Sequence, residues 1–580
     1  MPFNRANIFV LMTIAILTLL IGGCGSAADP AAPVVPVPTS TTAPSGPAPT
    51  ATPVPTPTPD PNDPKYGGIA TFANRNDPPG WDPMRTGTIT LHNIAATLYG
   101  EGNLVRQCRD DVFSICSNLA DSWEANADFT EWTFKIRDNV LWHDGTPFTA
   151  EDAAWYLNIA LNGVGDRKAA RWKSNLGDIT KISVIGGNEV SVTLSGPAPR
   201  YIGFLAPVGQ KIAHPRHLMQ PEIDAGNTTV TPNEVGYVAT GPYKMLEYNK
   251  GSVVRVRRND LYWEKDSNDR KLPFLDGIDF PIITDKSAMF AAFRTGRLDG
   301  TARGSGYFAN AEQRAPIVSG MGNKAWFANI PAYNKIIGIN SRVAPWNDQR
   351  VRQAVNLYVD RQSGIDAVHS GDGVLFSLFP PGSPLANPGW ATWPGWNPAT
   401  KEADRNRANE LLTDAGFSDG FPVSILCRDR WVAFCEWTEG QLTGLLGKGN
   451  VSIDVVDTAT YNDRKGRGDW EIDAPSGSAH VTPEDMQAYW LTTNPNAKNQ
   501  HDDTNVDKMF IKLANTPDGP ERTKLAQELE YYLVQDQVLG IPTWFELGVV
   551  AYRSYIKGMP VPPVCSSCSI DMATVWIDKS

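Results

Sequence analysis

Trp142-His143-Asp144-Gly145-Thr146-Pro147-Phe148-Thr149-Ala150-Glu151-Asp152 holds a reversal and a helix start in one short run. Asp144-Gly145 suits a tight turn, since Asp bonds its own backbone and Gly accepts a positive φ. Thr149 followed three residues later by Asp152 reads as a capping box, which predicts a helix from Ala150 to Leu161. Just upstream, Trp132, Phe134 and Ile136 alternate with Thr133, Lys135 and Arg137; downstream, Val190, Val192 and Leu194 are separated by Ser191 and Thr193. Both are half-buried strands by their period of two. Helical spacing returns at Val351, Ala354, Val355 and Tyr358 behind Asp348. It recurs at Ala408, Leu411, Leu412 and Ala415, ended by Gly416, and at Leu525, Leu529, Tyr532 and Leu533. Short strands alternating with amphipathic helices, without a repeat of solenoid period, predict a mixed α/β fold.

The chain has 580 residues, of which 41% are hydrophobic and 20% charged, so it can bury several cores and is not globally disordered. Its 52 Lys+Arg against 63 Asp+Glu give a net charge of -11 with no basic block, so no nucleic-acid partner is expected. The seven His are scattered and form no His-Glu-x-x-His motif, so neither a zinc peptidase nor any other metal site is expected, and no cofactor.

Residues 1-23 carry Arg5, the apolar run Ile8 to Ile21 and no acid, the pattern of an export signal. Leu20-Ile21-Gly22-Gly23-Cys24 resembles a bacterial lipobox, which implies cleavage before Cys24 and lipidation of its thiol. Residues 24-64 hold 13 Pro among Ala and Thr and have no bulky hydrophobe beyond Val. They are expected to form an extended tether that holds the folded part on the order of 100 Å from a lipid anchor on the outer face of the cytoplasmic membrane. Export also makes disulfides the default for the remaining close pairs, Cys108 with Cys116, Cys427 with Cys435, and Cys565 with Cys568.

The folded part resembles the family 5 extracellular solute-binding proteins of peptide, nickel and oligosaccharide importers. The resemblance rests on Leu119-Ala120-Asp121-Ser122-Trp123-Glu124 leading into Trp132 to Arg137, on the signature Trp142 to Asp152, and on Thr240-Gly241-Pro242-Tyr243-Lys244. It extends through Asn259-Asp260-Leu261-Tyr262-Trp263, Asn340 ahead of the helix at Val351, and Ile541-Pro542. It implies a periplasmic-binding-protein-like type II fold, with two lobes, an additional inserted domain and a hinged cleft. Lobe I would comprise 65-105, 236-325 and 545-580, the inserted domain 106-235, and lobe II 326-544. The signature itself reads as structural: His143 bonds locally and Gly241-Pro242 reverses the chain.

Peptide binders of the family often carry Gly-Trp followed by Ala-Asp-Tyr-Pro-Asp-Pro, whose first acid pairs with the peptide's α-amino group. Here Gly477 and Pro483 keep their places, Ser478 replaces the Trp, and Val481 falls where the acid would be, with Glu484 and Asp485 beyond. A free-amino-terminus peptide would then need Glu484 or Asp473 as counter-charge. Of the 18 Trp, Trp393 and Trp396 in a Pro/Gly-rich loop, Trp470 at a strand end, and Trp81 in the turn after the first strand are candidate flat contacts for sugar rings. Arg428 and Arg430, after the apolar strand Phe421 to Leu426, are candidates for an anionic or hydroxylated ligand. The ligand-binding set is therefore Trp81, Trp393, Trp396, Arg428, Arg430, Trp470, Ser478 and Glu484.

Gly416-Phe417-Ser418-Asp419-Gly420 matches a nucleophile-elbow pattern but follows a helix and precedes a strand, the reverse of the order an elbow needs, so no enzyme is expected. The resulting expectation is a monomeric, lipid-anchored solute-binding protein. It would deliver a small polar solute, an oligosaccharide ahead of an oligopeptide, to the permease and ATPase subunits of an ABC importer. The alternative is a sensor or receptor lipoprotein not coupled to transport.

Overall fold

The structure, a computed structural model, describes residues 63–579 apart from 87, 101, 207–211, 302–310, 475, 479–481, 495–496, 498 and 561–571. Cys24, the tether through residue 62, Cys565, Cys568 and Val481 lie outside the described residues. Among the described residues, no helix is long and apolar enough to cross a membrane.

The chain enters through β1 (Ile69–Ala73), then forms a small ribbon of β2 (Val105–Gln107) and β3 (Ile115–Ser117). A four-stranded antiparallel sheet follows, made of β4 (Ala120–Ala125), β5 (Glu131–Ile136), β6 (Ile179–Ile185) and β7 (Glu189–Leu194), in the order β4-β5-β7-β6. Trp132, Phe134 and Ile136 are buried, as their alternation predicts. The helix Ala150–Asn162 covers this sheet, and its first turn carries the complete capping box: Asp152 N–H donates to the Thr149 hydroxyl and the Asp152 carboxylate accepts from Thr149 N–H.

The large sheet then grows by β8 (Tyr243–Asn249), β9 (Val253–Arg258), β10 (Gly277–Pro281) and β11 (Gly300–Thr301) around β1. The long β12 (Ala325–Ile339) leaves that half for the other. There β13 (Gly373–Val374), β14 (Val423–Arg428), β15 (Val451–Val456), β16 (Ile472–Asp473) and β17 (Ser476–Ser478) assemble. The equally long β18 (Gly540–Arg553) returns antiparallel to β12, pairing from Ala325↔Arg553 to Gly338↔Gly540. Separate apolar cores lie under the two halves, one around Phe72, Leu98 and Phe280, the other around Val355, Ile425 and Trp544. The β12–β18 ribbon is the connection they share.

The later helices follow the sequence pattern. Gln349–Tyr358 is capped by Asp348, and Lys401–Asp414 ends with Gly416 at φ +88, the left-handed value of a C′ glycine. The Gly416–Gly420 run is thus a helix-to-strand turn. Disulfides Cys108–Cys116 and Cys427–Cys435 are formed.

The signature run does more than turn the chain. His143 Nε2 lies 3.2 Å from the Gly241 carbonyl oxygen, and Lys244 Nζ donates to the His143 carbonyl at 2.6 Å, so the two motifs brace each other across the fold. Gly241 must be glycine because a Cβ there would sit 2.2 Å from the Leu98 carbonyl oxygen. Burial pushes the His143 imidazole down to about 4. The unfolded chain therefore takes up a proton that the fold refuses as pH falls below 6.5. His143 contributes stability that is whole above about pH 6.5 and lost as pH falls toward 4, about 3 kcal/mol at full extent. His143→Gln is expected to flatten the decline of denaturation midpoint between pH 7 and 4.5; an unchanged slope would show that His143 titrates alike in both states.

Candidate functional site

The ribbon is irregular at one place. Register shifts interrupt the β12–β18 pairing between Pro331 and Tyr333 and again between Lys335 and Ile336, leaving the short regular segment Tyr333↔Glu546, Asn334↔Phe545, Lys335↔Trp544 between two bulges. Bulges bend and twist a strand pair, so this segment is where one half can turn against the other. Because side chains alternate, Tyr333, Lys335 and Glu546 project to one face and Asn334 and Phe545 to the other.

A cavity of about 380 Å³ opens on the first face, lined by Tyr333, Lys335, His369, Arg430, Trp431 and Glu546, among others. Lys335 Nζ pairs with Glu546 Oε2 at 2.9 Å and stands 5.9 Å over the Phe434 ring. Desolvation brings the half-buried His369 down to about 4, so it is neutral near pH 7. Arg430 is exposed, its guanidinium 5.2 Å over the Trp431 ring. With Lys335 matched by Glu546, Arg430 leaves the cavity wall net positive. The Cys427–Cys435 bridge closes the loop that presents Arg430 and Trp431, tying the end of β14 to the helix Val432–Leu446.

A second cavity, about 450 Å³, is bounded by Phe113, Trp123, Arg200 and Ile202 from the early segment and by Leu385, Asp518 and Arg522 from the later half, among others. Phe113 belongs to the small apolar cluster around Val112 and Phe545, and Phe545 projects from the opposite face of the ribbon. Its loop too is closed by a disulfide, Cys108–Cys116. Arg200 pairs with Asp518 across the two halves.

Alongside the segment between the bulges runs β17. It pairs with β12 through Tyr333↔Ser478, Asn334↔Gly477 and Lys335↔Ser476, and among the described residues no strand pairs with its other edge.

The residues singled out in the sequence divide sharply. Arg430 lines the first cavity, and Arg428 sits behind it, with Nε donating to the Thr458 hydroxyl at 2.8 Å and the guanidinium 5.0 Å over the Trp431 ring. Ser478 belongs to β17 by its backbone. The four tryptophans are core instead of cleft. Trp81 is buried against Tyr237 and Tyr248, because Asp82 beside it is held by Arg167 and His214. Trp393 and Trp396 are buried in an apolar cluster of the later half, with the Arg361 guanidinium 4.0 Å over the Trp396 ring. Trp470 is buried under Lys465, whose ammonium stands 3.0 Å from the ring centroid. Glu484 is committed to the buried Arg522 at 2.5 Å, and Asp473 to Lys465 at 2.9 Å. Neither acid stands ready for a ligand ammonium.

Sequence reasoning missed Lys335, His369 and Glu546, and also Phe113, Arg200 and Arg522. One signal was available: Lys335 opens the apolar run Ile336-Ile337, where a charged residue needs a buried partner or a purpose. Among the described residues, no group of three or more His, Cys, Asp or Glu could hold a metal ion.

Two halves joined by a kinked two-strand ribbon, with cavities at the kink, define a hinged solute-binding protein. Residues 115–499 match the profile of the bacterial extracellular solute-binding proteins, family 5, and the chain belongs to that family of ABC-importer binding components, which are not enzymes. It is 23% identical over 517 residues to the periplasmic oligopeptide-binding protein OppA of Salmonella typhimurium, covering 84% of this chain and 88% of that one. It is likewise 23% identical to the glutathione-binding protein GsiB of Escherichia coli K12, covering 78% and 85%. Among solved structures, HbpA2 from Haemophilus parasuis superposes with a TM-score of 0.74 at 18% identity, over 88% of this chain and all (100%) of that one. DppA from Helicobacter pylori in complex with the peptide STSA gives 0.67 at 20% identity, over 89% and 99%.

Proposed function

We infer that this protein is the lipid-anchored, extracytoplasmic receptor of an ABC importer and that it captures a short peptide. The observation that carries the peptide reading is the edge of β17 with which no described strand pairs, beside the β12 residues Tyr333 and Lys335 that line the first cavity. An extended peptide adding to that edge would satisfy its own backbone and the edge's, and would send successive side chains alternately to either face. The net positive first cavity suits a carboxylate or carbonyl of the ligand, with Arg430 and Lys335 as donors. Relatives named for oligopeptides and glutathione, and a neighbour holding STSA, agree with this choice. The oligosaccharide reading loses its support, since Trp393, Trp396 and Trp470 are in cores and offer no platform to a sugar ring.

The anchor at Cys24 and the tether 24-64 complete the reading. So does the division into lobe I, inserted domain and lobe II given above, with the chain passing between lobes at 325/326 on β12 and 544/545 on β18 and the pair turning at the irregular segment Tyr333–Lys335. The protein acts as a monomer that closes on its solute and offers the closed shape to the permease.

The test is to purify residues 65 to 580 natively, denature them and identify what is released by mass spectrometry. Short peptides are the expected result. Sugars released instead would overturn the peptide assignment while leaving the hinge intact.

A further inference from the structure

We propose that the second cavity is a side-chain pocket that selects a neutral aromatic side chain at one position of the bound peptide. The inference rests on the peptide reading above and adds to it a ligand class and the residues that read it.

The charges decide first. Arg522 is fully buried and gives one edge of its guanidinium to Glu484 at 2.5 Å, while its Nε lies 3.6 Å from Asp518 Oδ1. The same Asp518 carboxylate pairs with Arg200. Two guanidiniums are therefore matched by two carboxylates, so a charged ligand group of either sign would give up its hydration there without an unmatched counter-charge. A neutral group is left.

The walls then choose among neutral groups. Phe113 and Trp123 are half-buried, so part of each ring meets the cavity, and Ile202 and Leu385 add apolar surface. Arginine beside an aromatic-lined space favours an incoming ring over an aliphatic chain, because the guanidinium is attracted to the ring face and the wall rings can pack edge to face with it. The volume, about 450 Å³, leaves room for a ring and the backbone that carries it.

The walls are also held. The Cys108–Cys116 bridge closes the loop bearing Phe113. Opposite it, the loop bearing Leu385 is pinned by Glu530, whose carboxylate accepts from Leu378 N–H at 2.9 Å and from Asn387 N–H at 2.7 Å. Each side of the pocket is thus held in its own shape, so closure brings together two preformed walls.

The experiment is isothermal titration of the mature protein with tetra-alanine and the four tetrapeptides in which a single Ala is replaced by Phe. Strand-like binding and one aromatic pocket predict that Phe tightens binding about tenfold or more at one position, or at two positions two apart, and not at the residue between. Ile202→Trp, which fills the cavity with an indole, is expected to collapse that ratio to within about twofold, as is Phe113→Ala. Ile202→Trp keeps an apolar side chain at this part of the wall, so it remains informative if Phe113→Ala folds poorly. Equal affinity for all five peptides, or a ratio that survives Ile202→Trp, overturns the pocket while leaving peptide binding standing. Failure of every peptide to bind overturns the peptide reading and this inference with it.

Discussion

Asp82→Ala is expected to cost about 3–5 kcal/mol of folding stability, the largest effect of any single substitution argued for this chain. The carboxylate is buried and serves three partners. Arg167 Nη2 donates to Oδ2 at 2.5 Å, while His214 Nε2 at 2.9 Å and Met84 N–H at 2.9 Å meet Oδ1. Arg167 and His214 are themselves fully buried, at 1% and 0% exposure, so neither can turn to water when the acid is gone. The cost is thus the stranding of a guanidinium, not the loss of three ordinary hydrogen bonds. Burial alone would raise the Asp82 carboxyl, but the His214 hydrogen bond and charge, the Arg167 charge and the Met84 N–H together hold it below the ordinary carboxylate range; the cluster's contribution is present above about pH 4 and fades as pH falls through that lowered value. Guanidinium chloride unfolding of the wild type, Asp82→Ala and Asp82→Ala/Arg167→Met measures it. The double variant should recover part of the loss by removing the orphaned charge. If Asp82→Ala alone costs less than about 1 kcal/mol, water or a rearranged neighbour must be neutralising Arg167.

This cluster also marks what the sequence could and could not convey. Local structure was legible because its causes are local. Thr149 and Asp152 sit three apart and cap the helix they announce, Trp132, Phe134 and Ile136 alternate and are buried, and the pairs Cys108–Cys116 and Cys427–Cys435 each span a single loop. The site was only partly legible because its causes are not local. Asp82 and His214 are 132 residues apart, and their meeting is what draws Trp81 into the core and away from any ligand. A tryptophan in a Pro/Gly-rich loop looks the same on paper whether a ring or a helix will cover it; Trp393 is covered by Tyr531, 5.5 Å between centroids, from a helix more than a hundred residues on. Glu484 read as a free acid until Arg522 claimed it. Arg430 does line a cavity, and its place just after an apolar strand is a local signal that a crevice follows.

Lys335→Met is the sharpest test of the hinge. Lys335 lies between the two register shifts of β12, on the segment about which the halves are proposed to turn, and its ammonium holds Glu546 of the returning strand at 2.9 Å. The pair is unequally buried, with 7% of the lysine side chain exposed and 25% of the glutamate. Removing the lysine leaves a carboxylate that water can still reach in the open form. Closure over a solute takes that water away. The same carboxylate is therefore tolerated in the empty protein and costly in the bound one, so the substitution should fall on affinity more than on stability. The expected loss is about 30- to 100-fold in affinity for the co-purified solute, about 2–3 kcal/mol, against a smaller drop in unfolding free energy. Glu546→Gln in the same background should restore much of the affinity, because the stranded charge and not the missing lysine is the greater part of the cost. Titration of the four proteins of the cycle, each with its denaturation midpoint, separates the two effects. A Lys335→Met protein that loses stability but binds unchanged would place the solute away from the hinge cavity, and the open edge of β17 would then have to act with the opposite face alone.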